Sequence, residues 1–479
     1  MNERFRHALA AIVGRDAIVA DRESLLTYES DAFTLARESP ELVVLPTSTA
    51  EVAAVMALCH REGVAVVPRG AGTGLSGGAL PERGGVVLET ARMRRILSID
   101  PEARVAVVQP GVTNAALSAA AREHGLAFGP DPSSGMVCTL GGNAAENAGG
   151  PHALKHGLTA QHVLGLTVVL ADGEVLELGG ALDGLPGYDL VGLFVGSEGI
   201  LAVTTQLALR LVPVAPATRT LLVAFPSLVE GCEAVADLIQ AGLEPSALEA
   251  LDRGTIATIE ASPDYAAGYP TDCDLALLVD LDGHHDTIGA RVERASEICR
   301  RRGATEIRVG SDDAARRKLW KGRKSAFGAM GRLRGDVYVL DGTVPLSQLA
   351  RLIAFTVEVA ARHRLTICNV FHAGDGNLHP NISFDGRDAE LTRRALAAGA
   401  EILRACVDVG GSITGEHGIG VEKLSFLSWM FAPHEIAEME AIKRLVDPWG
   451  RLNPGKLVPS SKGCAEAKGK LDAMEGTSS

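Results

Sequence analysis

No two of the eight cysteines (59, 138, 232, 273, 299, 368, 406 and 464) form a CxxC pair, and no spacing suits thiolate-held zinc or an iron–sulfur cluster. The expectation is reduced thiols in a cytoplasmic chain. Positive charge is also short. Lys and Arg number 46 against 59 Asp and Glu, a formal net charge of -13, which argues against nucleic acid as a partner. No run approaches the roughly 20 apolar residues of a membrane span, and the apolar stretch 8–13 is too short for a secretory signal and lacks its cleavage pattern. Aromatics amount to only 4%, yet 46% hydrophobic and 22% charged residues exclude both a disordered chain and a collagen-like repeat. A length of 479 residues predicts about two to four domains. What is plentiful is glycine, 54 in all, which points to tight turns or to backbone closely approaching a ligand.

The first forty residues read as helical and charged, followed by a short strand at 41–46. Thr47 or Ser48 as N-cap, Glu51 near the third helical position and apolar Val52, Val55, Met56 and Cys59 predict a helix. Short Val/Leu/Ile strands at 64–67, 86–89, 105–109, 163–170 and 200–211 alternate with Gly/Asn/Asp turns, an α+β pattern. Pro213 and Pro216 mark a boundary. Beyond it, strands at 221–225, 275–280, 307–309 and 367–371 are separated by amphipathic helices near 227–241, 284–302, 346–363 and 388–409. The expected division is a helical segment 1–37, domains at 38–216 and 217–457, and a polar tail 458–479.

Gly72-Thr73-Gly74-Leu75-Ser76-Gly77 is a literal GxGxxG after a strand, but a Rossmann loop must open directly onto a helix. Here Gly78-Ala79-Leu80-Pro81 leads to Gly84-Gly85 and another strand. The surviving reading is a loop whose backbone N–H groups surround a diphosphate, with Arg69 supplying charge. Two further Gly-rich segments follow: Gly129-Pro130-Asp131-Pro132-Ser133-Ser134 with Thr139-Leu140-Gly141-Gly142-Asn143-Ala144-Ala145-Glu146-Asn147-Ala148-Gly149-Gly150, and Gly196-Ser197-Glu198-Gly199-Ile200. Simple turns do not account for so many in one domain.

In this order and spacing, PRGAGTGLSGGA, GPDPSS, TLGGNAAENAGG and GSEGIL resemble the FAD-binding domain of the vanillyl-alcohol oxidase/p-cresol methylhydroxylase superfamily. The resemblance implies an α+β fold of two subdomains that hold FAD. The implied cofactor-binding residues are Pro68, Arg69, Gly70, Ala71, Gly72, Thr73, Gly74, Ser76 and Gly77, then Pro130, Asp131, Pro132 and Ser133. Thr139, Gly141, Gly142, Asn143, Ala145, Asn147 and Gly149 follow, with Glu198, Gly199, Ile200 and Asn453. Several relatives attach FAD covalently through a His where this chain has Thr73, so noncovalent FAD is expected.

The C-terminal half carries other chemistry. Phe371-His372-Ala373-Gly374-Asp375-Gly376-Asn377-Leu378-His379-Pro380-Asn381 places two imidazoles around a Gly-rich turn, and Gly415-Glu416-His417-Gly418 adds a carboxylate and a third imidazole. Two imidazoles and a carboxylate suit zinc, iron or manganese; direct substrate binding by the histidines without metal stays open. With Trp320-Lys321-Gly322-Arg323-Lys324, Asp341-Gly342-Thr343-Val344-Pro345 and the segment 447–456, these resemble the FAD-linked oxidase C-terminal domain, a ferredoxin-like substrate domain. That domain occurs in D-lactate dehydrogenases, in D-2-hydroxyglutarate dehydrogenases and in the substrate-oxidising component of glycolate oxidase. GRKSAF and DGTVP resemble the glycolate oxidase pattern, whereas Asn381 departs toward the other two. Carried over, the resemblance makes His372, His379 and Glu416 metal ligands, His417 the base and Arg323 the partner of the substrate carboxylate. Trp320 and Asp341 read as structural, as does Asn453, also counted above with the flavin set.

The implied activity is FAD-dependent oxidation of a small D-2-hydroxy acid, glycolate first, with D-lactate and D-2-hydroxyglutarate as alternatives. The chain holds neither an iron–sulfur ligand set nor an NAD site, so the resemblance implies an electron-accepting partner. The options are an iron–sulfur subunit with a second flavin-domain subunit feeding quinone, or an electron-transfer protein. Such partners would allow peripheral docking at the inner membrane. Two rivals are weighed: a flavin enzyme of the alkylglycerone-phosphate synthase type, which the paired His segments disfavour, and a scaffold subunit that only binds FAD.

Overall fold

Ser48 caps the first long helix, Thr49–Glu62, by accepting the Glu51 N–H, while the Glu51 carboxylate takes the Thr47 N–H at 2.7 Å. Side chain and backbone thus satisfy each other's donors at the helix start. Gly63, left-handed at φ 73, ends it. The predicted stripe Val52, Val55, Met56 and Cys59 is buried with Leu42, Val44, Val86 and Leu88. The computed structural model describes residues 1–181 and 186–459; the expected polar tail lies outside the described residues from 460 onward. The first forty residues hold one longer helix, Glu3–Val13, a single-turn helix, Arg22–Leu25, and two 3-10 turns, Arg15–Ala17 and Leu26–Tyr28.

The described residues form two units: one comprises 1–149, 157–214 and 416–459, the other 150–156 and 215–415. The described residues of the first unit form two sheets. In one, Leu42–Val44, Val86–Glu89 and Val66–Arg69 run parallel in that order, with Ile18–Val19 antiparallel at the edge. The other is antiparallel around the long strand Val203–Pro213, which pairs with Val105–Val108, Val163–Val169 and Leu126–Phe128. The strand expected from residue 200 begins only at Val203, because Ile200 N–H closes a turn onto the Ser197 carbonyl.

The second unit is built on one eight-stranded sheet ordered Glu306–Gly310, Ala217–Phe225, Leu275–Gly283, Ala247–Asp252, Thr366–His372, Asn377–Phe384 and Asp336–Val339, with Gly342–Thr343 also on Asn377–Phe384. Along Ala217–Phe225, Leu221, Val223 and Phe225 join a core with the helices Leu228–Gln240, His285–Arg301 and Leu349–His363. Leu222 and Ala224 join a second core with Arg253–Glu260 and Asp313–Arg334. The period of two therefore sends alternate residues to opposite helical layers. Each fully buried Leu or Phe contributes about 1.5–3 kcal/mol. A strand buried on both faces has to be apolar throughout, so a charged residue within this sheet is an exception that calls for a partner.

Candidate active site

In the first unit the expected flavin segments come together. Gly70 lies so close to Thr139 that an added Cβ would strike its hydroxyl, and one on Gly199, left-handed at φ 68, would lie 3.3 Å from Pro68. Glu198 N–H donates to the Ala145 carbonyl, and Asp131 N–H to the Gly149 carbonyl. Gly72 and Gly77 both have positive φ, 67 and 77, a backbone that other residues adopt only under strain. These loops retain their shape because glycine permits both the dihedrals and the close approach.

Several expected flavin contacts are directed at the protein itself. Arg69, expected to charge-pair with a diphosphate, turns back: Nη2 donates to the Ser30 carbonyl at 2.9 Å and Nε lies 3.6 Å from Glu89. Thr139 accepts the Gly142 N–H to cap the helix Leu140–Glu146. Asn147 accepts the Ala160 N–H. The Glu198 carboxylate takes the N–H groups of Ile419 and Gly420, each at 2.7 Å, and Asn453 Nδ2 donates to the carbonyls of Gly78 and Glu198. Yet Arg69 Nη1, Ser76 Oγ, Asn143 Nδ2 and Asn453 Oδ1 are buried with no hydrogen-bond partner among the described residues. Buried polar atoms are seldom left so. Four of them among the expected flavin residues are what a polar cofactor would satisfy, so the loops fit FAD. Ala71, Thr73 and Gly74 occupy the turn after Val66–Arg69, with Gly74 accepting the Ala32 N–H. Pro130 and Pro132 accept from Asn114 Nδ2 and from Gly135 N–H.

A cluster of buried charge in this unit had no sequence signal as a group. A Cβ on Gly418 would fall 2.6 Å from Glu146 and 2.8 Å from Glu198. Burial pushes the Glu146 carboxyl well above the usual range, and the charges of Glu198 and Asp31 add to it. Burial raises Glu198 too, although the Ile419 and Gly420 donors, Lys423 and Lys456 oppose it. Asp31 is pushed up to about 6, chiefly by burial. His417 lies in the same segment, its Nε2 3.9 Å from Glu416.

In the second unit, His372 and His379 sit on a hairpin. The sequence places the two around a Gly-rich turn, with an expected strand ending at Phe371. The structure confines the turn to the residues between the strands Thr366–His372 and Asn377–Phe384. Pro380 costs one ladder donor, but its carbonyl still accepts from Leu340 N–H at 3.0 Å. His379 opposes Val370, two residues before His372, so the imidazoles share a face. Their rings lie 5.1 Å apart at 87°. His379 Nδ1 is 3.1 Å from the Leu340 carbonyl, an acceptor only, so Nδ1 carries the hydrogen and Nε2 the lone pair. Asp341 accepts from Thr414 Oγ1 at 2.6 Å and Gly415 N–H at 2.9 Å. That pins the residue one peptide bond before Glu416.

Glu249 has no motif around it. It faces His372 across the ladder between Ala247–Asp252 and Thr366–His372. One carboxylate oxygen lies 2.5 Å from His372 Nδ1, the other 2.6 Å from Arg323 Nε, and its side chain is wholly buried. Burial alone would raise its carboxyl; Arg323 and His372 outweigh burial and hold it below the usual range. The only available sign of it is a carboxylate inside the apolar run ALEAL. Trp320, taken as structural, donates from its indole to Asp280, which also meets Arg316 and Thr220.

Residues 214–457 match the family model described as FAD linked oxidases, C-terminal domain, and residues 40–179 that described as FAD binding domain. The glycolate oxidase subunit GlcD of Escherichia coli K12 is 47% identical over 446 residues, covering 93% of this chain and 89% of its own. A D-lactate dehydrogenase of Anaerostipes hadrus is 34% identical, covering 87% and 89%. Among solved structures, p-cresol methylhydroxylase with substrate bound is similar with a TM-score of 0.77 at 19% identity, over 95% of this chain and 96% of that one. At that identity the likeness is one of fold.

Proposed function

Since the chain belongs to the FAD-linked oxidases, a family of oxidoreductases, we propose that it oxidises a small D-2-hydroxy acid to the 2-oxo acid. Glycolate is the first substrate, with D-lactate and D-2-hydroxyglutarate as alternatives, and the electrons pass to an acceptor other than NAD. The observation that carries this reading is the pair of buried imidazoles on one hairpin face, with a guanidinium tied to the same carboxylate as one of them. FAD, when bound, supplies a two-electron acceptor for the hydrogen leaving C2. A divalent zinc, iron or manganese would be held by His372 and His379, the two imidazoles on the hairpin face, because His379 spends its Nδ1 on its backbone anchor and keeps Nε2 turned away from it, and would supply Lewis acidity at the hydroxyl.

The chain's own residues do the rest. Arg323 holds the substrate carboxylate with the planar fork that suits it. His417 takes the hydroxyl proton, which must leave as the carbonyl forms. His372 and His379 stay fixed on their strands, so little reorganisation accompanies the reaction. Both orders remain compatible with these residues: loss of the hydroxyl proton with hydride transfer, or removal of the C2 proton first. The chain serves as the substrate-oxidising component of a larger assembly whose partners accept electrons, an iron–sulfur subunit and a second flavin-domain subunit or an electron-transfer protein. No described helix is long and apolar enough to cross a membrane.

Anaerobic stopped-flow absorbance of the flavin, with glycolate, D-lactate, L-lactate, D-2-hydroxyglutarate and D-malate mixed separately, tests the reading. Bleaching by glycolate or a D-acid but not by L-lactate is the expected result. A yellow protein that none of them reduces overturns the reading and favours the FAD-binding scaffold.

A further inference from the structure

Within the sheet of the second unit, Glu249 is a carboxylate where two-sided burial favours an apolar side chain. Removing a carboxylate from water is costly unless each oxygen gains a partner. Here each gains a different one: Arg323 Nε at 2.6 Å, from the helix Asp313–Arg334, and His372 Nδ1 at 2.5 Å, from the facing strand. The strand pairing sets this up, because Glu249 and His372 are direct ladder partners and so project on the same face.

We propose that Glu249 is a positioning residue that ties the two ends of the substrate site together, fixing His372 toward the metal with one oxygen and Arg323 toward the substrate carboxylate with the other. The inference rests on the reading above, in which His372 ligates metal and Arg323 grips substrate. A carboxylate accepting from Nδ1 leaves Nε2 as the ligating atom and holds the ring in one orientation, the usual task of a group placed behind a metal-bound imidazole. On Arg323 it takes only Nε, so the terminal nitrogens are the donors left for an anion. It also neutralises the guanidinium from behind, so a bound carboxylate is held by geometry more than by net charge. One side chain therefore keeps the hydroxyl-binding and carboxylate-binding groups in register.

The test uses full-length holoenzyme carrying Glu249→Gln, compared with wild type, His372→Ala and Arg323→Met. Metal affinity comes from chelator competition, which needs no turnover, and substrate KM from steady-state oxidation. Flavin content and the thermal unfolding midpoint serve as folding controls. A Gln cannot accept at both positions, so E249Q is expected to bind metal about 10–100-fold more weakly and to raise KM at least tenfold, with flavin content retained. H372A moves chiefly the metal affinity and R323M chiefly KM, so the joint shift is the signature of the bridge. If E249Q does not fold, Glu249→Asp, which keeps the charge but shortens the reach, must show the same joint loss. A variant that shifts neither quantity, shifts only one, or loses both merely in proportion to flavin overturns the proposal. A wild-type chain that holds no metal and whose flavin no 2-hydroxy acid reduces fails before any variant is compared. That result overturns the functional reading itself and takes the bridge with it.

Discussion

Glu198 shows how one side chain can do a different job from the one its motif announces. It stands in GSEG among the expected flavin residues, yet its carboxylate accepts the N–H groups of Ile419 and Gly420, shortly after His417. In Glu198→Gln, one of the two oxygens becomes an NH2 that faces a buried donor. Leaving a buried backbone N–H unpaired costs about 1–3 kcal/mol, so urea unfolding should show a loss of that size; an unchanged midpoint would contradict the clamp. Asp31 makes a pH prediction. Its carboxyl is raised by burial from 3.8 to about 6, so the folded state holds a proton that the unfolded chain has released. Its contribution is full below the unfolded value and is lost as pH rises through about 6. Stability should therefore fall by ~2 kcal/mol between about pH 4 and about pH 7 from this group. Asp31→Asn should flatten that part of the urea-unfolding profile, and an equally steep profile in the variant would refute the assignment.

At the scale of the element, the hairpin Thr366–His372 and Asn377–Phe384 decides where both imidazoles point. Its turn depends on Gly376, left-handed at φ 77, where an added Cβ would collide with the Val344 carbonyl. Gly376→Ala is expected to destabilise the protein by about 2 kcal/mol or more and to weaken the metal binding proposed above, read by denaturant unfolding and chelator competition. Normal unfolding with normal metal content would show that the turn does not set the ligand geometry. Of the other elements some were legible from sequence, while the strand Ala247–Asp252 and the helix Asp313–Arg334, which carry Glu249 and Arg323, were not among those expected. Predicted helices near 227–241 and 388–409 form as Leu228–Gln240 and Ala389–Asp408, each capped by a side chain at its N-terminus, Ser227 and Asp388. Their signals are local, lying in the cap and in the apolar period. The hairpin strand Asn377–Phe384 was missed because its Gly and Pro neighbours mimic a loop, whereas its pairing with Thr366–His372, Asp336–Val339 and Gly342–Thr343 is tertiary.

For the whole molecule, the flavin loops provide the broadest test. Thr73 stands where the resemblance implies a His in relatives with covalent FAD, and the expected cofactor-binding residues, from Pro68 to Asn453, lie in the first unit. Denaturation followed by removal of the precipitate should leave the yellow colour in solution. Colour retained in the pellet would show a covalent bond and overturn the noncovalent expectation. The α+β class and the glycine-rich segments follow from the sequence alone, because caps, turn glycines and the two- and 3.6-residue periods act over a few residues; that those segments hold a flavin is what the family resemblance adds. The chemistry-bearing types at 372, 379, 416 and 417 are equally visible there. Tertiary structure alone decided which of them acquire partners. Arg69 turns to Ser30 across 39 residues, Glu198 reaches Ile419 across 221, and Glu249 joins Arg323 and His372 across 74 and 123. A buried carboxylate is stable only where the fold delivers donors to it, and donors that distant in sequence leave no local pattern to read.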